Sequence, residues 1–152
     1  MLTMNEKDKN EMLEAILNEN EAYQCKLWAV IMAGADTYVL IGGLSTLTGG
    51  AAAALGALSN VYCYLGVTEQ HLNMVIVNSV NASKIENRLS LPLSNITKAE
   101  IKGGLLPGRK VVMLHFGKEK MKISLMNNAI GSDIQGQKEN VEMFCQIVSK
   151  LG

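Results

Sequence analysis

A chain of 152 residues has room for one domain with a proper core plus an appendage, but not for two ordinary domains. Fourteen Lys/Arg balance fourteen Asp/Glu, so net charge alone selects no class of partner, yet the signs are unevenly spread: residues 1–36 hold seven acids against three lysines, and residues 81–123 hold nine Lys/Arg against three acids. Cys25, Cys63 and Cys145 are odd in number, far apart and in no Cys-x-x-Cys pair. That pattern fits reduced, mostly buried thiols in a cytoplasmic protein better than a disulfide framework or a zinc site.

Residues 1–9 contain no apolar core of signal-peptide length, so export by a cleaved signal is not expected. Residues 5–20 are rich in helix formers, and Met12, Leu13, Ile16 and Leu17 recur one turn apart on one face. An amphipathic helix is expected there, as an N-terminal unit over residues 1–21, with Asp8 as its cap and Glu11 completing a capping box. Residues 22–32 fit a first strand, with Tyr23, Cys25, Leu27 and Ala29 on one side and Gln24, Lys26 and Trp28 on the other. Trp28 then lies on the more polar face, as an edge contact or as a docking surface for the helix.

Residues 37–68 contain no charged side chain, and residues 38–58 are almost wholly small and aliphatic. That length meets the requirement of about 20 residues for a membrane helix. Gly42, Gly49 and Gly56 are spaced by seven, as are Gly43 and Gly50, so on a helix these small residues collect on one face that another helix can approach closely. Against a membrane helix stand Ser45, Thr46, Thr48 and Asn60 and the lack of flanking Lys or Arg. A helical insertion at 37–60, packed in the core or between subunits, is the favoured reading, and bilayer contact is the alternative. No Gly-Lys-Ser/Thr follows the glycines, so a phosphate loop is rejected.

Residues 62–78 read as strand, polar turn at Thr68-Glu-Gln-His71, and strand. Residues 88–94 alternate, with Leu89, Leu91 and Leu93 inward and Pro92 marking an edge strand or bulge. Residues 96–102 alternate again, residues 103–108 form a loop, and residues 109–116 and 120–125 form a hairpin with its lysines outward. From Gln137, the residues Val141, Phe144, Cys145, Val148 and Leu151 mark one face of a C-terminal helix.

Seven short strands followed by an amphipathic helix must close or fold over to protect their edges, with the helix plugging the open end. Tyr64-Leu-Gly-Val-Thr68, Leu91-Pro-Leu-Ser-Asn-Ile-Thr97 and Leu114-His-Phe-Gly117 carry a more specific pattern. It resembles the bacterial pleckstrin-homology-like (PH-like) families, including the YokE-like and GRAM-like groups. The resemblance covers residues 22–151, with 37–60 as an insertion between the first two strands. It implies an α+β, mainly β fold: a PH-like split barrel of about seven antiparallel strands capped by the C-terminal helix. In lipid-binding relatives of this fold the loop between the first two strands carries the headgroup-binding basic residues. Here it has no Lys or Arg after Lys26, so a headgroup site of that kind is not expected.

His71 and His115 have no neighbouring nucleophile or carboxylate in a recognisable motif, no carboxylate pair has acid–base spacing, and metal-ligand spacings are missing. An enzyme is therefore not expected, and neither a cofactor nor a metal is implied. The leading expectation is a non-catalytic binding or assembly module joining another protein or a second copy through the apolar insertion and N-terminal helix. The alternative is attachment to a membrane surface, with Lys98, Lys102, Arg109, Lys110, Lys118, Lys120 and Lys122 meeting anionic lipid. The basic strands lack the interleaved aromatics of a stacking platform, so nucleic acid is not expected.

Overall fold

The computed structural model describes residues 4–32, 61–78, 80–103, 108–127 and 133–151. The apolar segment 37–60, with Gly42, Gly43, Gly49, Gly50 and Gly56, lies outside them. The described elements run in the order α1 (Glu6–Ala15), β1 (Cys25–Ile31), β2 (Val61–Val67), β3 (His71–Val77), β4 (Ile85–Pro92), β5 (Lys98–Gly103), β6 (Arg109–Phe116), β7 (Glu119–Met126) and α2 (Gln137–Ser149). The seven strands form one antiparallel sheet in the order β4-β3-β2-β1-β7-β6-β5. The fold is thus α+β and mainly β, with one helix at each end of the described chain.

Alternation sorts the side chains onto two faces. Cys25, Leu27, Ala29 and Ile31 of β1, Cys63, Leu65 and Val67 of β2, and Met121, Ile123 and Leu125 of β7 share one apolar cluster with Val141, Phe144, Cys145 and Val148 of α2. The other face of β1, β2 and β3 presents Trp28, Tyr64 and Val75, which form a second cluster with Met4, Met12 and Leu13 of the N-terminal arm and α1. Strands β2 and β3 read as nearly continuous apolar runs because one of their faces packs against α1 and the other lies in the first apolar cluster. Trp28 is the docking surface for the first helix.

The helix start differs from the expectation. Asn5, not Asp8, is the N-cap: its Oδ1 accepts the Asp8 N–H at 2.8 Å, and its Nδ2 donates to Asp8 Oδ2 at 2.8 Å. The Asn5 N–H donates to the hydroxyl of buried Tyr64 at 2.9 Å, which anchors the start one turn earlier. The helix also ends early, at Ala15: Ile16 leaves helical geometry, the Ile16 and Leu17 N–H groups reach back only three residues, to the Leu13 and Glu14 carbonyls, and a separate turn follows at Asn20 (φ 69°). Strand β4 ends at Pro92 on a sheet edge, as Pro requires. Leu93 then lies in a 3-10 turn rather than in the strand.

One backbone junction is not closed by strand pairing. Strands β1 and β7 pair only at Val30↔Ser124 and Ile31↔Ile123. Continuing that register would set Trp28 opposite Met126. There the Gln137 side chain intervenes: its Oε1 accepts the Trp28 N–H at 3.2 Å, and its Nε2 donates to the Trp28 and Met126 carbonyls, each at 2.9 Å. One turn on, Asn140 Oδ1 accepts the Lys26 N–H at 3.1 Å. The first turn of α2 thus supplies the hydrogen bonds that the diverging strands cannot make.

Candidate functional site

The register of β5, β6 and β7 decides which basic residues can act together. Lys98 pairs with His115 and His115 with Lys120; Lys102 pairs with Val111, Arg109 with Met126, and Met113 with Lys122. Residues on one side of a sheet share a face through these pairs. Lys98, Lys102, Arg109, Lys120 and Lys122 therefore gather on the face opposite α2, together with Glu100 and His115. Five cations against one carboxylate leave four net positive charges on that face, with His115 counted neutral. All four lysines are exposed, and neither of the two described helices packs on this part of the sheet: α1 lies on β1, β2 and β3, and α2 lies against the opposite face.

Two of the seven basic residues do not join it. Lys110 alternates with Val111 onto the face that carries Val112 and Leu114, on the side of α2, and Lys118 lies in the turn between β6 and β7. Strand alternation at Lys110 and the turn at Lys118 thus leave five of the seven on one face.

Several charges on the face are already engaged. Glu100 Oε2 is 3.1 Å from His115 Nε2, and its Oε1 is 3.3 Å from Lys98 Nζ. The His115 hydrogen bond, followed by Lys98, holds the Glu100 carboxyl below the usual carboxylate range. Arg109 Nε donates to Ser124 Oγ at 2.8 Å, leaving the rest of its guanidinium fork for other acceptors. Lys102 and Lys122 flank a depression of about 210 Å³ lined also by Glu100, Gly103, Val111 and Met113.

Each histidine has a carboxylate partner that the linear sequence conceals. His71 Nδ1 is 2.8 Å from Glu21 Oε1, fifty residues earlier, and Thr68 Oγ1 donates to the same oxygen at 2.7 Å. An ionised carboxylate only accepts, which places the shared proton on Nδ1. Thr68 Oγ1 also accepts the Gln70 and His71 N–H groups, so the cluster ties the α1–β1 connection to the β2–β3 turn. It is a latch, because the hydroxyl is spent on the turn and on Glu21 rather than aimed at the imidazole. The His71 hydrogen bond, then that of Thr68, lowers the Glu21 pKa from 4.5.

That shift has a sign. A carboxyl whose folded pKa is depressed stabilises the fold fully above its unfolded value and loses that stabilisation as pH falls through the folded value. Glu21→Gln should therefore lower the urea midpoint at neutral pH and flatten its decline below pH 4.5. Glu100 titrates in the same window and preserves part of the decline. Urea midpoints of both proteins across the acid range check this, and parallel curves would contradict it.

The thiols are buried as expected. Burial pushes Cys25 and Cys63 up to about 12 and raises Cys145, which leaves them poor nucleophiles at neutral pH. Among the described residues no group of three His, Cys, Asp or Glu could hold a metal ion. Among them, too, no helix is long and apolar enough to cross a membrane.

No family model and no curated protein matches the chain. Its fold is similar to a solved structure described as the hSac2 domain from human phosphoinositide phosphatase Sac2. The two align with a TM-score of 0.52 and 13% sequence identity, over 91% of this chain and 75% of that one. At this identity the likeness is one of fold.

Proposed function

We propose that the chain is a non-catalytic binding module of PH-like build whose outer β5–β7 face engages an anionic membrane surface. The observation that carries this reading is the segregation of five cations onto a face that neither described helix covers. The continuous antiparallel sheet, the incomplete β1–β7 ladder and the C-terminal helix seated in the core support the PH-like part. The fold likeness to a domain of a phosphatase named for phosphoinositides, which are anionic lipids, is compatible with it.

Self-association through the same face is disfavoured, since two copies would set four net positive charges against four. The β5 edge of the described sheet is similarly guarded by Lys98 and Lys102, which discourage strand addition. A non-catalytic role is supported by the engagement of His71 in a structural latch and of His115 with Glu100, and by the raised thiols.

Each lysine near an anionic bilayer contributes about 1 kcal/mol, so removing four should weaken binding on the order of a thousandfold. The test is cosedimentation of Lys98→Gln/Lys102→Gln/Lys120→Gln/Lys122→Gln with vesicles of phosphatidylcholine and phosphatidylserine. The four side chains are exposed, so the fold should persist, as circular dichroism would show. Undiminished binding by the folded variant would overturn the assignment of this face.

A further inference from the structure

Strand β7 sets Lys120 and Lys122 on one side and Met121, Ile123 and Leu125 on the other, but β6 shows no such polar–apolar alternation. Its outer positions between Arg109 and His115 are Val111 and Met113, both half-buried, on a face that neither described helix covers. A sheet face that meets only water is normally polar at such central positions. The two apolar residues instead form the floor of the depression whose rim holds Lys102 and Lys122. Glu100, also at the rim, is drawn into its contacts with Lys98 and His115, so the two rim lysines remain the groups offered to an anion.

We infer that this depression is a subsite for a single-chain anionic amphiphile: Lys102 and Lys122 take its phosphate or carboxylate, and Val111 and Met113 take its first methylenes. The inference rests on the membrane-surface reading above and specifies the lipid chemistry that face would meet. A volume of about 210 Å³ is below the range of pockets that enclose a whole drug-sized ligand, so only the headgroup and the adjoining carbons are expected to enter. The charge of the rim and the apolarity of the floor together select against both an inorganic anion and a neutral hydrocarbon.

The experiment is a titration of the full chain, labelled with nitrogen-15, with monomeric octyl phosphate and separately with inorganic phosphate. Octyl phosphate should shift the amide signals of Lys102, Val111, Met113 and Lys122, and inorganic phosphate should leave them nearly unmoved. Met113→Ser should weaken octyl phosphate about tenfold, the expected loss for a partly buried apolar side chain. Val111→Thr provides a second variant should Met113→Ser lose the dispersed spectrum of the fold. An equal response to both phosphates would overturn the inference, as would tighter binding of an acidic peptide at the same residues. No response to octyl phosphate while anionic vesicles still bind would overturn the subsite alone. No response to either would overturn the membrane reading as well.

Discussion

Replacing Gln137 with leucine should lower the unfolding free energy by about 3 kcal/mol, although the side chain is conserved in size and lies outside the candidate surface. The buried Gln137 amide satisfies three backbone groups: the Trp28 N–H, the Trp28 carbonyl and the Met126 carbonyl. Leucine fills the space and pairs with none of them. Each buried backbone group left without a partner costs about 1–3 kcal/mol, and the lower end of that range, three times over, gives the figure. For a chain of this length such a loss moves the melting temperature down by about 10 °C. Gln137→Glu should do no better, since a carboxylate cannot donate to the two carbonyls and adds a buried charge beside them. Thermal and urea unfolding would measure both. A loss below about 1 kcal/mol for the leucine variant would mean that β1 and β7 close the junction without help from α2.

The second large effect is expected at Gly66, where the reason is space. A Cβ added there would stand 2.5 Å from Cε1 and 2.7 Å from Cδ1 of Tyr23, so the ring must leave. Its exit is costly because the Tyr23 hydroxyl donates to the Leu13 carbonyl near the end of α1 at 2.6 Å and accepts from Asn73 Nδ2 at 3.1 Å. Asn73 is fully buried, and its Oδ1 accepts the Ser90 hydroxyl at 2.7 Å, so the chain of bonds reaches from the helix across to β4. Gly66→Ala should therefore destabilise by about 2–4 kcal/mol despite the better intrinsic order of alanine in the chain. In a Tyr23→Ala background most of that cost should vanish, a coupling that a double-mutant cycle by urea unfolding would detect. Additive losses would contradict the role given to the ring.

The fold was largely legible in the sequence because its strands announce themselves by period. Strand β7 alternates lysine with apolar side chains, and α2 repeats Val141, Phe144, Cys145 and Val148 at helical spacing; both formed where expected. The start of α1 was misplaced because a hydroxyl on β2, Tyr64, selects which residue caps the helix, and no local pattern encodes that contact. Gln137 gave no signal for a similar reason. Its importance comes from where β1 and β7 diverge, a property of the folded sheet and not of a neighbouring motif.

The candidate surface was legible in composition but not in membership. Basic residues crowd into 81–123, yet only register shows that Lys110 faces α2 while Lys98, a strand away from Lys120, shares its face. The pairings of Glu21 with His71 and of Glu100 with His115 join residues 50 and 15 positions apart, so both histidines looked solitary in the linear chain. Val111 and Met113 did offer a clue, since they interrupt the alternation that their partner strand keeps. Inside an apolar run, however, an outward residue cannot be told from an inward one until the strand is paired.

The most direct measurement is cosedimentation of the unaltered chain with vesicles of phosphatidylcholine alone and of phosphatidylcholine with phosphatidylserine, each at low and at high salt. If the β5–β7 face engages an anionic surface, the chain should pellet only with the anionic vesicles, and raising salt to about 1 M, where the screening length shrinks to about 3 Å, should release most of it. Equal binding to both vesicle types, or none to either, would contradict that account.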